Sequence, residues 1–301
     1  MAIQKEIWLR DIVKALFPDD SFATKAINDD AFVVEGKKVH VPNAGAPSSV
    51  KKNRAEVPAK VMTRTDTDVD YTLDEFTSDP IHIPDADTVQ LSYDKRQSVI
   101  AQDTSEIMRV AHESLLQNWA PAAARCVLTT GAAKAAHLAA ATGNRKALSA
   151  DDVLTLQTKF DLDNVPANDR FLLLDAVMYA QLLNSLSNSD KIGFFQAADV
   201  KRGIVGNLYG FNIMKRSTVL RYAVADGAVT GVTDANAATD CAAGLAWQAT
   251  CVRRALGEVK MFDESGSPTY YGDIFSFLVR CGGCISRADK KGVAAIVGIT
   301  A

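Results

Sequence analysis

The sequence has 301 residues, of which 48% are hydrophobic and 23% charged, and its formal net charge is −3. This composition is typical of a folded chain of one or two domains, and the small net charge does not favour a dedicated nucleic-acid-binding protein. There is no run of about 18 apolar residues, so no transmembrane helix is predicted. Residues 1–17 lack the apolar core of a signal peptide.

The N-terminal region combines a short helix with a predicted hairpin. Residues 4–17 have an amphipathic helical pattern that ends at Pro18. Phe22 is the one large apolar residue of the polar connector that follows. Residues 32–34 and 39–41 are short β-rich runs on either side of a turn that contains glycine, which predicts a β-hairpin.

A long extended ribbon with few large apolar residues comes next. Residues 42–49 have loop composition, and residues 57–73 alternate as a strand does. A two-stranded ribbon is marginal in water unless it packs on another surface, and a second subunit would provide one. The basic half of the ribbon contains Lys51, Lys52, Arg54, Lys60 and Arg64, and the acidic half contains Asp66, Asp68, Asp70, Asp74 and Glu75. These blocks predict a contact between copies, with each half facing the opposite charge; the alternative is a solvated loop.

The most regular pattern of the chain is a long amphipathic helix over residues 92–119. Small or apolar residues recur at helical spacing, Ser92 suits the N-cap, and Pro121 lies just beyond the end. At 1.5 Å per residue this helix would span roughly 40 Å. The neighbouring His112 and Glu113 point in different directions on a helix, so we interpret them as surface residues rather than a catalytic dyad.

The remaining elements alternate between helices and strands. Helices are predicted over 132–141, 150–160, 177–186 and 242–255, and strands over 170–174, 203–214, 259–262, 273–281 and 293–299. Ser149 and Asp175 are predicted helix caps, and residues 222–238 are expected to form a surface loop or weak hairpin. The continuous apolar run at 170–174 is typical of a strand buried on both faces. The element order predicts an α+β fold.

The sequence contains no catalytic or metal-binding motif. The P-loop, the dinucleotide-binding turn, the nucleophile elbow and the zinc-protease helix are all absent. The five cysteines are odd in number and are predicted to be unpaired thiols. Cys281-Gly-Gly-Cys284 lacks a second CxxC or a nearby histidine, and Asp66, Asp68 and Asp70 lack the glycine and glutamate of a calcium loop. We therefore predict no cofactor and no metal.

The ordered set of elements resembles the major capsid proteins of tailed bacteriophages, which have the Hong Kong 97 fold. Three stretches carry the resemblance: residues 36–45, residues 165–175 with 206–213, and residues 271–274 with 287–289 and the last strand. The resemblance implies an α+β fold with an N-terminal arm at 1–31, an extended β-hairpin loop at 32–78, a peripheral domain at 79–125 and 239–301 with its spine helix at 92–119, and an axial α/β domain at 126–238.

The same resemblance implies a structural subunit rather than an enzyme. Such subunits assemble as hexamers and pentamers into an icosahedral head that encloses double-stranded DNA. The implied partners are further copies of the chain, a separate scaffolding protein, a portal protein at one vertex, a possible decoration protein, and DNA bound without sequence specificity, with no membrane. The scaffolding protein is expected to be separate because only about thirty residues precede the ribbon. The implied location is the virion capsid, after assembly in the bacterial cytoplasm.

Three alternatives stay open at this point. A shell protein of a bacterial nanocompartment has the same fold and encloses enzymes instead of a genome. A tail or connector component also assembles, but into rings. A soluble α/β enzyme would use an unrecognised site around Asp175, His137 or the CxxC.

Overall fold

The computed structural model describes residues 17–33, 38–85, 95–196, 198–225 and 227–301. The predicted helix over 4–17 and the predicted N-cap at Ser92 therefore lie outside the described residues, except for residue 17. Helices and several β-sheets together form a mixed α/β structure. Within the described ranges no helix combines the length and the apolar character that a membrane span requires.

Four α-helices are described. They are α1 (Lys95–Asn118), α2 (Ala150–Leu162), α3 (Ala176–Ser185) and α4 (Asn188–Gln196). The predicted long helix is thus confirmed as α1 over its described part. The capping residues of α2 and α3 are also confirmed: Ser149 and Asp152 form a capping box, and Asp175 Oδ1 accepts a hydrogen bond from the backbone N–H of Met178 at 2.6 Å.

The strands form a larger sheet, a smaller sheet and two ribbons. The larger sheet has the order β10 (Ile204–Leu208), β11 (Phe211–Arg216), β9 (Arg170–Asp175), β14 (Cys241–Gln248), β12 (Leu220–Ala225) and β13 (Ala228–Val232), with β18 (Val293–Val297) beside β14 and β6 (Cys126–Leu128) beside β18. The smaller sheet has the order β1 (Ile27–Asn28), β15 (Val252–Leu256), β17 (Gly272–Ile285) and β16 (Lys260–Ser267), and β4 (Asp74–Thr77) and β5 (Ile81–Pro84) also pair with β17. One ribbon joins β2 (Lys38–Asn43) to β3 (Thr67–Thr72), and the other joins β7 (Ala133–Ala135) to β8 (Asn144–Lys146).

The larger sheet lies between two hydrophobic cores. In β9 every residue is buried, with Phe171 and Leu173 facing one core and Leu172 and Leu174 facing the other. The first core is shared with α1 and the smaller sheet, and the second with α2, α3 and α4. The prediction of a strand buried on both faces is confirmed, and it explains why this run is apolar without alternation.

Helix α1 packs closely against β17 of the smaller sheet. Ile107, Ala111 and Leu115 of the helix are buried in the first core together with Trp119, which follows it. Gly283 of β17 permits this approach, since a Cβ at this position would collide with Leu115 Cδ1 and would lie 3.1 Å from Trp119 Nε1. The helix therefore lies directly on the strand.

The helix predicted over 242–255 is wrong, because this segment contains the central strand β14. Its register pairs it with β9, β12 and β18, and all eight residues are buried. Gly244 has no room for a side chain, since a Cβ would lie 2.6 Å from Leu174 Cδ2. The alanines of this segment favour a helix by propensity. In the sheet, their small side chains let other residues pack closely on both faces of β14.

The helix predicted over 132–141 is also wrong. Residues 133–135 form β7, which pairs with β8, and all three residues of β7 are exposed. An isolated helix of about ten residues is marginal unless it buries an apolar face, and Leu138 is the one large apolar residue of this segment.

The predicted hairpin between 32–34 and 39–41 is wrong as well. Asp30–Val33 is a 3₁₀ turn, and β2 pairs instead with the distant β3, with Val41 opposite Val69. Of the extended segment predicted over 57–73, residues 67–72 form a strand, whereas 51–66 have no regular structure. The strand predicted over 203–214 is instead the antiparallel hairpin of β10 and β11, because the chain turns at Tyr209 and Gly210, which both have positive φ. The remaining predicted strands are present, and residues 222–238 contain most of the hairpin of β12 and β13.

Candidate subunit interface

The segment between β2 and β3 is the most exposed part of the described chain. Every residue from 46 to 68 is exposed, including apolar side chains that are expected in a core. Val50, Val57 and Val61 are 94%, 86% and 90% exposed. We call residues 46–66 the loop. Its apolar side chains lie in water in the single chain, so the loop is a candidate contact surface.

The base of the ribbon, by contrast, is fixed to the subunit by a small core of its own. This small core consists of the buried residues Val41, Tyr71, Leu73, Ala255 and Cys284. The Tyr71 hydroxyl donates a hydrogen bond to Asp29 Oδ2 at 3.0 Å. Burial has the largest effect on the pKa of Tyr71, and this hydrogen bond the next largest; both raise it. The ribbon is therefore held firmly at one end.

A second set of polar contacts fixes the point at which the loop leaves the subunit. Asn43 Nδ2 donates to the carbonyl of Ser286 at 3.0 Å, and Asn43 Oδ1 accepts from the N–H of Ala288 at 3.2 Å. The N–H of Gly45 donates to Asp66 Oδ1 at 2.8 Å. The loop thus begins beyond the C-terminal end of β17.

The charges of the ribbon fall into paired and unpaired groups. The residues with ion-pair partners in the same chain are Lys51 with Glu56, Arg64 with Asp66, His40 with Asp68, Lys38 with Asp70, and Arg280 with Glu75. The hydrogen bond from Arg64 lowers the pKa of Asp66, and that from Lys38 lowers the pKa of Asp70. The charged residues of the ribbon without an ion-pair partner in the described part of the chain are Lys52, Arg54, Lys60 and Asp74. The acidic residues are therefore largely satisfied inside the subunit, whereas three basic residues are not.

A charge cluster joins the residues before the ribbon to helix α1 and to the larger sheet. Asp20 accepts from His112 Nδ1 at 2.9 Å and from Arg216 Nε at 3.0 Å, and the Arg216 side chain is fully buried. Burial alone would raise the pKa of Asp20. The hydrogen bond from His112 and the charges of His112 and Arg216 outweigh this effect, so the pKa of Asp20 is lowered overall. We call Asp20, His112 and Arg216 the N-terminal clasp.

The N-terminal clasp corrects the interpretation of His112 as a surface residue. His112 is buried and stacks edge-on against Phe22 at 5.9 Å between ring centroids. No sequence pattern indicated Arg216 or Asp20 as its partners, because the three residues are far apart in the chain. Phe22 itself is buried, as its role as an apolar anchor predicts.

The CxxC does not form a dithiol site. Cys281 lies in the first core beneath α1, whereas Cys284 lies in the small core at the ribbon base, so the two thiols face opposite sides of β17. Burial raises the pKa of Cys281 to about 12 and that of Cys284 to about 11. All five cysteines of the chain are free. Buried thiols with raised pKa values are poor nucleophiles.

Two of the residues named for an enzymatic alternative do come together. His137 Nε2 lies 2.8 Å from Asp175 Oδ2, at the edge of a cleft of about 510 Å³. However, Asp175 is also the N-cap of α3, and its other oxygen is taken by Met178. In the described residues no group of three or more His, Cys, Asp or Glu side chains could hold a metal ion.

Another unpartnered surface is the edge strand β16. Seven of its eight residues are exposed, and Phe262 is 54% exposed. An edge strand with apolar exposed side chains offers unpaired backbone groups to another chain. The loop and β16 together leave much of this subunit's surface suited to contacts with other chains.

Comparison of the whole structure with known structures identifies this architecture. The capsid of Ralstonia phage GP4 matches with a TM-score of 0.70 and 12% identity over 99% of this chain and 96% of that chain. The capsid of cyanophage P-SCSP1u matches with a TM-score of 0.68 and 18% identity over 99% and 93% of the two chains. The chain has the tailed-phage capsid fold.

Further comparisons agree with this assignment. A structure of Mycobacterium phage Che8 matches with a TM-score of 0.67 and 18% identity over 98% of this chain and 97% of that chain. No family model matches the sequence, and no curated protein is similar to it. The capsid fold is thus recognised from the structure at identities too low for sequence comparison, and the resemblance drawn from the element order is confirmed.

Proposed function

We propose that this chain is the major capsid protein of a tailed bacteriophage. In this function it is a structural subunit without catalytic activity that assembles with its own copies, as hexamers and pentamers, into the icosahedral head around double-stranded DNA. The observation that carries the proposal is the match of 98% or more of the chain to solved phage structures, two of them capsids, at TM-scores of 0.67 to 0.70. The exposed apolar loop supports it, because a single subunit leaves that loop without a surface to cover it.

The regions of the subunit are proposed by analogy with the capsid fold. Residues 1–31 are the N-terminal arm and residues 32–78 the extended loop. Helix α1, with 24 residues and a length of about 36 Å, is the spine helix of the peripheral domain. Residues 126–238 are the axial domain. Because β14 and β18 of the C-terminal segment belong to the same sheet as β9, we assign these two strands to the axial domain as well.

We further propose that the basic half of the ribbon contacts acidic groups of an adjacent subunit. Lys52, Arg54 and Lys60 support this proposal, because they are exposed and have no ion-pair partner in the described residues. The proposed set of contact residues also includes Lys51, Arg64, Asp66, Asp68, Asp70, Asp74 and Glu75. A single exposed pair is worth roughly 0–1 kcal/mol, but repetition of each contact in a closed symmetric shell multiplies these small terms.

The other partners follow from the same proposal. Assembly takes place in the bacterial cytoplasm with a separate scaffolding protein, and a portal protein takes one vertex of the head. A decoration protein is a further proposed partner. The packaged DNA is contacted through charge alone, without base readout.

The decisive experiment is electron microscopy of the purified protein, alone and co-expressed with the neighbouring genes. We expect closed icosahedral shells that contain DNA when the packaging genes are present. Shells filled with a specific protein would instead indicate a nanocompartment, and open rings a tail or connector component. A stable monomer with a turnover activity would contradict the proposed function.

A further inference from the structure

The outer edge of β16 is a backbone surface that the subunit leaves without a partner strand. On its inner side β16 pairs antiparallel with β17 from Lys260 to Glu264. On its outer side no strand of the described chain pairs with it. Met261 and Phe262 remain 43% and 54% exposed on this strand. The unpaired N–H and C=O groups of such an edge can extend the sheet into another chain.

The register of β16 on β17 shows which face of the sheet each side chain occupies. Directly opposite residues of antiparallel strands share a face, and successive residues alternate between faces. Met261 and Asp263 lie opposite Phe277 and Phe275, both of which are buried in the first core. The side chains on the other face are, in chain order, a cation, an aromatic ring and an anion: Lys260, Phe262 and Glu264. This face therefore carries one charge of each sign at equal separation from a central ring.

This order of side chains is complementary to its own copy. If two such strands pair antiparallel about a two-fold axis at Phe262, Lys260 of each strand lies opposite Glu264 of the partner subunit. The two aromatic rings then lie opposite each other at the axis. Facing aromatic side chains and facing opposite charges both stabilise antiparallel strand pairs. Lys260 and Glu264 are exposed and have no ion-pair partner within the described ranges, so both charges are available for this contact.

Other registers of the same pairing are less favourable. A slip of one residue turns one strand over, so two copies that present the same face of the sheet must pair residues of equal parity. A two-fold axis at Asp263 would place two carboxylates opposite each other, which is destabilising. An axis at Met261 would place Lys260 opposite Phe262 and leave the charges without partners. Of these three registers, only the axis at Phe262 brings opposite charges together.

The edge of β16 is too short to hold two free subunits together by itself. The regular part of the strand has five residues, from Lys260 to Glu264, whereas stable interfaces bury about 1,200–2,000 Å² in total. In a shell, other contacts would hold neighbouring subunits close to each other, which raises the effective concentration of one edge at the next. We therefore expect the contact in particles rather than in dilute subunits.

We propose that β16 of one subunit pairs antiparallel with β16 of a second copy, about a two-fold axis at Phe262, and thereby joins the smaller sheets of the two subunits. This inference rests on the proposed function and names a second surface of assembly besides the loop. The contact is isologous, so each edge is used once and the pairing stops at two copies. An icosahedral shell contains two-fold axes, at which such a contact can lie.

The first test is disulfide cross-linking in particles, and it reports the register. Phe262→Cys should give a dimer on oxidation, because the two thiols would face each other at the axis. Particles that mix Lys260→Cys chains with Glu264→Cys chains should also give a dimer. Neither of these two variants should cross-link with itself, since its two copies would lie about 14 Å apart along the strands, too far for a disulfide. Wild-type particles, which keep the five native cysteines, are the control and should give no dimer.

The second test is charge reversal with rescue. Lys260→Glu or Glu264→Lys alone places like charges opposite each other at both ends of the contact, so the yield of particles should fall by about tenfold. The double variant with both changes restores opposite charges and should restore the yield. Lys201→Glu is the matched control, because it reverses an exposed charge in the 3₁₀ turn before β10 and should assemble normally. Sedimentation measures the yield, and circular dichroism shows that each variant is folded.

The outcomes separate this inference from the function on which it rests. If wild-type protein forms no shells under any condition, the proposed function fails and the inference fails with it. If shells form but neither Phe262→Cys nor the mixed particles give a dimer, the inference alone is overturned. A dimer from Lys260→Cys alone, or normal yields from both single charge reversals, would overturn it as well. Cross-linking in the expected register together with rescue by the double variant would support it.

Discussion

The two ends of one ribbon differ in almost every physical property. At the base, Tyr71 and Val41 are buried in a small core and the backbone forms a regular two-stranded ladder. At the other end, from residue 46 to residue 66, the same chain is exposed and has no regular structure. The difference shows what a ribbon needs: paired strands persist where the subunit provides a surface to pack on and end where it does not.

The same contrast separates the larger sheet from the loop. The central strands β9, β14 and β18 are covered on both faces by residues of their own chain, so the stability of the sheet is a property of the subunit. The loop has no such cover, and under the proposed function its contribution belongs to contacts with other copies. Substitutions in the sheet should therefore unfold the subunit, whereas substitutions in the loop should leave it folded and prevent assembly.

The largest effect is expected from Trp247→Ala in β14. Trp247 is fully buried, stacks on Phe171 at 5.8 Å, and donates from Nε1 to the carbonyl of Lys25 at 2.8 Å. Truncation removes this packing and leaves a cavity, which should cost about 3–5 kcal/mol of the free energy of unfolding. Urea unfolding of unassembled subunits measures this cost, and a loss below about 1 kcal/mol would contradict the role of the larger sheet.

A smaller effect is expected from Gly283→Ala in β17. An added Cβ would collide with Leu115 and would lie 2.6 Å from the carbonyl oxygen of Arg253, so α1 must move away from the sheet. Overpacking of this kind should cost about 1–3 kcal/mol. Gly231→Ala in β13 is the matched control, since no atom lies within 4 Å of the Cβ that it adds. Equal unfolding midpoints for the two variants would show that α1 does not depend on this close approach.

The cysteine motif has a packing role that its spacing does not indicate. The spacing of Cys281 and Cys284 is one that metal and redox sites use, but the sequence has no second CxxC and no nearby histidine. The structure shows that the glycine between them matters for packing against α1, and that the thiols face opposite sides of the strand. Side chains alternate between the two faces of a strand, so Cys281 and Cys284, three positions apart, lie on opposite faces. The sequence does not show which helix packs against Gly283.

Strong local patterns predicted their elements, and patterns that depend on distant partners did not. The caps at Ser149 and Asp175, the run at 170–174 and the long helix are each determined by neighbours in the sequence. The strand β14 was missed because alanine favours a helix unless three other strands pair with the segment, and those strands come from distant positions.

The charge pattern of the candidate interface is readable from the sequence, but its pairing is not. The segregated charges indicated an interaction segment, but which charges are satisfied within the subunit depends on the register of β2 and β3. That register places Lys38 opposite Thr72 and His40 opposite Asp70. The ion pairs form diagonally, from Lys38 to Asp70 and from His40 to Asp68. The N-terminal clasp was not predictable, because Asp20 and Arg216 are separated by most of the chain.

An intermediate effect that depends on pH is expected at the N-terminal clasp. The pKa of Asp20 is lowered in the folded subunit, so the charged form is stabilised by folding. This contribution is fully present above the ordinary pKa of about 3.9 and is lost as the pH falls through the folded value. Asp20→Asn should therefore reduce the free energy of unfolding near neutral pH and flatten its decrease in acid. An unchanged pH profile would show that His112 and Arg216 do not depend on this carboxylate.

The smallest effect on subunit stability is expected from the loop, where Val50→Ser, Val57→Ser and Val61→Ser are combined. These side chains are already in water, so their replacement should change the free energy of unfolding by no more than about 0.5 kcal/mol. Assembly should nevertheless be lost, because the apolar contact area with the second copy disappears.

Tyr71→Phe, at the base of the same ribbon, is the matched variant for this comparison. It removes a hydrogen bond to the carboxylate of Asp29 and should cost about 1.5–3 kcal/mol. Urea unfolding combined with sedimentation separates the two cases: the base variant loses stability, and the loop variant loses only particles. If the triple loop variant assembled normally, its valines would not be contact residues. If it unfolded, the loop would belong to the core of its own subunit, which would remove the distinction between the two ends of the ribbon.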